Sequence, residues 1–270
     1  MDILTHTVSG LAAGSVLANM TPADVPVCKK WRIMIAGAVG GAFPDMDAIS
    51  LWSRFDATIG RWFGLEHSGS VIYSGKFWYS HHAFFHSVVA ALAVGWLAVC
   101  LPSVLRRMTR RKTSFGLFPK SCKPVYFGFV AGWLAHLLGD CITPASTWGG
   151  VRMFWPLPVY VGGWGNVWWW NNYDLFLIIT LCFLLNLAWM TATAPSGKRR
   201  IRAVPAAIAL ITFLWLAVQV KSRQTDYAYE GHATRYRQLE EASKKEQQRI
   251  LGTGMYRWME KLDNKLPFYF

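Results

Sequence analysis

Apolar residues are gathered in long blocks along this chain, with polar residues between them. Four blocks are about twenty residues long: Ala83–Leu105, Val125–Thr143, Leu175–Ala194 and Ala203–Val220. A helix rises about 1.5 Å per residue, so each block is long enough to cross about 30 Å of hydrocarbon. Two shorter blocks precede them, Ile3–Met20 and Trp31–Ala48, both rich in small residues. Small residues let helices approach closely inside a bundle. The pattern predicts an all-α fold, a polytopic helical membrane bundle of about six spans. Beyond Val220 it changes. Arg235–Ile250 is polar, with Glu240, Glu241, Lys244, Lys245 and Glu246 at helical pairing distances. A membrane-embedded domain over 1–220 and a polar, helical C-terminal tail over 221–270 are therefore expected, with the terminal LPFYF at the membrane surface.

Composition agrees with the bilayer. Hydrophobic residues make up 53% of the chain and charged residues only 16%, against about 25% charge in soluble proteins. The net charge of +13 would suit nucleic acid if the basic residues formed a reading helix. They fall instead in short loops between apolar blocks, and no arginine-rich helix interleaves them with aromatics. Nucleic acid is excluded as a partner. The loop Arg106–Lys123, the loop Pro195–Arg202 and the turn near Cys28 hold most of the Lys and Arg. Such loops stay in the cytoplasm. Loops Leu51–His82 and Pro144–Asp174 carry only Arg54, Arg61, Lys76 and Arg152, so they face outward. Six spans satisfy all of these placements, with both termini outside. The N-terminus lacks a basic segment and carries Asp2 and His6, so no cleavable signal peptide is expected. Cys28, Cys100, Cys122, Cys141 and Cys182 form no CxxC pair and read as isolated small apolar residues, without a disulfide framework. The outer loop holds Trp148, Trp155, Trp164, Trp168, Trp169 and Trp170. An interfacial aromatic belt is the plain reading; a substrate-binding aromatic wall is the sharper one.

Candidate chemistry lies in the ionisable groups of the spans, which membrane proteins rarely place there without a role. His6 lies near the outer end of the first span, and Asp45 and Asp47 follow Pro44 at the outer end of the second. His81, His82 and His86 open the third span. His136 and Asp140 close the fourth. The topology rests on Lys and Arg alone, yet it brings all of these to one side. His136 and Asp140 share a helix face at four-residue spacing, as do His82 and His86. Pro44 puts Asp45 and Asp47 on a turn that can aim two carboxylates at one cation. Imidazole and carboxylate without thiolate suit Zn²⁺, Mn²⁺ or Fe²⁺. The donors exceed what one tetrahedral ion needs, so two ions are plausible. Their work would be to lower the pKa of a water to about 7 and to clamp an anionic transition state. A proton or ion relay could use the same residues. His67 and His232 have no polar partners in sequence and read as solvated.

The motifs THTVSG, FPDMD, HHAFFHS and HLLGDCITPASTWGGVRMFWP together resemble the YdjM-like family of bacterial inner-membrane proteins, described as metal-dependent hydrolases. The resemblance covers about Met1–Pro158. It implies a metal-site group of His6, Asp45, Asp47, His81, His86, His136 and Asp140. It further implies an anion contact at Arg152. Asp45, Asp47 and Arg152 are taken as the catalytic residues. His82 stands where the family usually has Arg, and Phe85 where it has Thr. The family register favours His81 as the ligand, while spacing favours His82. The expectation is a multi-pass inner-membrane hydrolase whose site faces the non-cytoplasmic side. It would act on a phosphoester or lipid-linked substrate among membrane lipids, with zinc, manganese or iron. A transporter or assembly factor using the same cluster is the alternative. A transporter tends to hold its polar groups near the midplane, whereas these gather at one end.

Overall fold

The computed structural model describes residues 1–22, 24–109, 122–193 and 203–266. Most of the two basic loops expected in the cytoplasm lies outside the described residues. Seven long helices are present among the described residues: α1 (Ile3–Met20), α2 (Val27–Ala42), α3 (Val88–Arg106), α4 (Lys123–Cys141), α5 (Tyr173–Thr193), α6 (Ala203–Lys221) and α7 (Tyr236–Asp263). There is no β-strand among them, only isolated bridges in the loops. The all-helical expectation therefore holds.

Helix boundaries follow local chemistry. Asp2 caps α1 by accepting from the Thr5 amide at 2.7 Å, and Ser87 caps α3 by accepting from Ala90 N at 3.0 Å. Each cap satisfies a backbone donor that the first helical turn leaves free. Pro44 ends the α-helical hydrogen bonding of α2, and the chain continues as a tight 3-10 turn over Pro44–Leu51. The third span starts later than the apolar pattern suggested. Residues 80–87 form turns and bends, so His82 and His86 do not share a helix face. His82 sits at φ 62, a left-handed conformation that breaks helical continuity.

Three helices, α3, α5 and α6, are long and apolar enough to cross a membrane. The expected count of six is not reached on that measure, because α1, α2 and α4 are of another kind. They form the middle of the bundle and pack through glycines. A Cβ on Gly10 or Gly132 would strike the Gly37 carbonyl, one on Gly40 the Phe129 carbonyl, and one on Gly41 the His6 carbonyl. Backbone meets backbone along this seam, as small residues allow. Around it, α3 packs on α4 through Ala90, Ala91, Phe129 and Trp133. Helix α5 packs on α1 and α2 through Ala18, Ile33, Met34 and Met190, and α6 lies outermost against α5. The outer helices carry apolar surface because nothing among the described residues covers it.

The six helices alternate in direction, which gathers one end of each at the same end of the bundle. Asp174, at the start of α5, accepts from Gln219 and Arg223 at the end of α6, both at 2.8 Å. His6, at the start of α1, bonds Asp140 at the end of α4. The tail does not stand apart. Tyr227 N donates to Gly165 O at 2.9 Å and Ser146 N to Tyr229 O at 3.1 Å, so residues 227–230 run across the 144–170 loop. Helix α7 then packs Tyr256 and Met259 on Tyr173 of α5.

Candidate metal centre

The glycine seam sets the first part of the site. Because Gly41 of α2 lies directly against α1 and near α4, its carbonyl accepts from His136 Nδ1 at 2.7 Å. That bond places the proton on Nδ1 and leaves Nε2 as a donor atom facing inward, the usual orienting device for a ligating histidine. His6 stacks on the His136 ring with centroids 3.6 Å apart. It also bonds Asp140 Oδ1 at 3.0 Å, an oxygen that the Met1 amine shares at 2.7 Å. The other Asp140 oxygen, Oδ2, turns inward.

The 3-10 turn and the 80–87 turn supply the rest. His86 Nε2 lies 3.2 Å from His136 Nε2, 3.7 Å from Asp45 Oδ1 and 3.5 Å from Asp140 Oδ2. His136 Nε2 lies 3.6 Å from Asp45 Oδ1 and 3.0 Å from Asp140 Oδ2. Around the two imidazole nitrogens of His86 and His136, donor atoms from three separate parts of the chain thus gather, with five pair separations of 3.0–3.7 Å. A tetrahedral ion bound at about 2.0–2.1 Å sets its ligands about 3.3–3.4 Å apart, so the spacing fits. Asp140 Oδ2 makes no hydrogen bond although it is buried. The imidazoles are near enough to pair with it, but none aims an N–H at it. An acceptor left this way at a convergence of lone pairs suits a cation.

A second group adjoins the first through His86. Asp47 Oδ1 accepts from His81 Nδ1 at 2.6 Å, and Asp47 Oδ2 faces His86 Nδ1 at 3.3 Å. Neither of the two facing atoms has a hydrogen-bond partner. His81, His82 and His86 each offer a ligand atom within 4.8 Å of the others. His82 Nδ1 donates to Gly150 O at 3.0 Å. His6, His136 and Asp140, and likewise Asp45, His86 and His136, form two further groups of the same kind. These buried His and Asp groups could hold a metal ion.

Electrostatics follows from the crowding. Burial pushes the Asp47 carboxyl up, but the neighbouring His81 and His86 outweigh it and hold the group down at about 2. Burial pulls His86 down, yet the carboxylates of Asp47, Asp45 and Asp140 win and raise it to about 10. Burial, reinforced by His81 and His86, drives His82 well below its ordinary value and keeps it neutral. The Asp45 side chain, 17% exposed against 0–8% for the other members, is the group that reaches solvent.

The structure brings His6, Asp45, Asp47, His81, His86, His136 and Asp140 together, and His82 with them. Arg152 stands beside the cluster. Its amide donates to His82 O at 2.9 Å, while its guanidinium donates to Leu157 O and Pro156 O, each at 2.9 Å. The chain belongs to the YdjM inner membrane protein family. That family's model matches residues 1–225, reaching past the motifs that end near Pro158 to take in α5 and α6. No curated protein and no solved structure matches the chain. Membership in the family and the apolar helices make this a membrane protein.

Three features of the site had no signal in the sequence, and a fourth, Trp148, stood out only as one tryptophan of its loop. Tyr73 stacks on His81 at 4.6 Å, and burial together with the Asp45, Asp47 and Asp140 carboxylates raises its phenol so that it stays protonated. Trp148 stacks on His82 at 4.4 Å and donates to Tyr73 O at 2.7 Å. The carbonyls of Gly41 and Gly150 orient two histidines. Trp148 and Trp168 are buried, so the aromatic belt expected for this loop does not describe them; Trp164 is exposed and fits it. His232 is exposed as expected, whereas His67 stacks on Phe77 at 4.5 Å.

Proposed function

We propose that the chain is a membrane-embedded, metal-dependent hydrolase with its site on the non-cytoplasmic side, acting on a phosphoester or lipid-linked substrate. The observation that carries this reading is the approach of Asp45 Oδ1 and Asp140 Oδ2 to the paired Nε2 atoms of His86 and His136, each within 3.0–3.7 Å of both nitrogens. In this reading these four hold the ion directly. Asp47 orients His81 and His86, and His6 steadies Asp140. His81 and His82, with His86 between the two groups, supply donors for a second ion. Zinc suits the donor set best, with manganese or iron as substitutes. A divalent ion there would act as a Lewis acid on a phosphoryl oxygen and bring the pKa of a water near 7. Asp45 sits at the opening to solvent, placed to accept a proton from the attacking water. Arg152 offers charge to an anionic substrate. The outward orientation rests on the Lys and Arg asymmetry of the loops.

Detergent-purified protein should carry metal and hydrolyse a phosphoester in a lipid-phosphate screen. Activity should vanish on chelation, return with Zn²⁺ or Mn²⁺, and rise with pH through about 7. His136→Ala and Asp140→Ala should lose metal while still inserting in the membrane. Full metal content in both variants would sink the site. Metal-replete protein that cleaves no ester, yet carries ion flux in sealed vesicles that Asp45→Asn blocks, would turn the reading to a transporter.

A further inference from the structure

The loop that shields His82 carries positive charge on its outer side. Val151 and Val161 pair through two hydrogen bonds of 2.8 Å, so Arg152 and Tyr160 flank the pair as cross-strand neighbours. Lys76 reaches this place from the opposite loop. Its ammonium stands 5.5 Å from the centre of the Tyr160 ring. It also lies 3.3 Å from where a Cβ on Gly149 would be. Gly149 and Gly150 adopt φ values of 84 and 106, open to glycine and strained for other residues. A Cβ at Gly149 would press on the Lys76 ammonium. No carboxylate pairs with Lys76 among the described residues, although the ion pairs elsewhere are explicit. Two carbonyls hold the Arg152 guanidinium in place, leaving further N–H groups of its five-donor fork to spare. Burial raises the Tyr160 phenol and the charge of Arg152 works against it.

This group is one residue layer from the metal-site histidines. Trp148, next to Gly149, stacks on His82, and Gly150 O accepts from His82. We propose that Lys76, Tyr160 and Arg152 form a rim that receives a phosphate-bearing anion beside the His/Asp cluster. The proposal deepens the hydrolase reading and rests on it. An ammonium, a phenol and a guanidinium bring several donors to one face of the loop. That suits a tetrahedral phosphate better than a flat carboxylate. Lys76 carries the discrimination, because it is exposed and has no carboxylate partner among the described residues, whereas Arg152 also braces its own turn.

The test uses the full chain, zinc-loaded, in phosphatidylcholine nanodiscs. Inorganic phosphate is titrated by calorimetry. Lys76→Gln should weaken its binding about tenfold, the scale of one charge-assisted contact, and flatten the salt dependence, with metal content unchanged. Lys76→Arg should keep most of the affinity. A second arm adds phosphatidate to the discs. Its retention by wild type and loss from Lys76→Gln, read by native mass spectrometry, would assign the phosphate to a lipid headgroup. Phosphate binding without such retention would assign it to a soluble ligand. Phosphate affinity unchanged in Lys76→Gln, or no phosphate binding by wild type, would overturn the rim. Turnover separates the two readings. Wild type that binds phosphate through Lys76 yet cleaves no ester removes only the hydrolase. Hydrolysis of anionic and zwitterionic esters with the same KM in wild type and Lys76→Gln removes only the rim.

Discussion

His86 faces two ways. Its Nε2 looks toward Asp45, His136 and Asp140, and its Nδ1 toward Asp47. Asp47 is the residue that ties this orientation to His81, which donates to it at 2.6 Å. Such carboxylate–histidine contacts tune and aim metal ligands, and losing one typically costs ten- to a hundred-fold in metal affinity. Asp47→Asn keeps the shape and removes the charge. It should weaken zinc binding by about that factor in competition with a chromophoric chelator, while the helical circular dichroism stays unchanged; equal affinity would show that Asp47 plays no part. The acidic and imidazole side chains of this site were legible in the sequence because ionisable groups stand out in apolar spans. Their backbone partners were not. Gly41 and Gly150 offer carbonyls, which every residue has, and only close packing makes them acceptors for His136 and His82.

At the scale of the element, α1, α2 and α4 trade apolar surface for proximity. Gly132 lies so close to α2 that a Cβ would meet the Gly37 carbonyl. Backbone cannot yield as a flexible side chain can, so Gly132→Ala should force α4 away from α2. A destabilisation of about 1–3 kcal/mol is expected for such overpacking. It should appear as a lowered thermal midpoint in detergent, with metal affinity falling in parallel because His136 would lose Gly41. An unchanged midpoint would mean that the seam is looser than drawn. The first helix was legible to its ends: Ile3–Met20 is the expected block and the observed α1. The third was not, since Ala83–Phe85 extend the apolar run although Ser87 is the cap that starts α3. Hydropathy cannot distinguish a buried turn from the helix it leads into, whereas a side-chain cap can.

At the scale of the whole molecule, alternation of the six helices puts the His/Asp cluster, the 144–170 loop and the tail at one end. Tyr227 and Tyr229 bond the loop directly, so the C-terminus reports the side on which the cluster lies. Reporter fusions at Ser114, which lies outside the described residues, and at the C-terminus should fall on opposite faces of the membrane, with the C-terminal one outside. Both on one face would overturn the six-span arrangement. The all-helical bundle itself was legible from the spacing of apolar blocks. The docking of the tail was not, because residues 224–235 carry no periodic pattern and α7 reads as a solvated helix until Tyr256 and Met259 are seen against Tyr173.

The donors also set an order of manufacture. Of the four proposed ligands, Asp45 leaves the ribosome first and Asp140 last, with His86 and His136 between them. A site that could hold an ion is therefore incomplete until about half of the chain is made, and closes only when the fourth helix packs against the first two. Helices α5 and α6 contribute no donor to the four. An ion could thus be captured while the final third of the protein is still being made, and the late brace across residues 144–170 would seal a centre already filled.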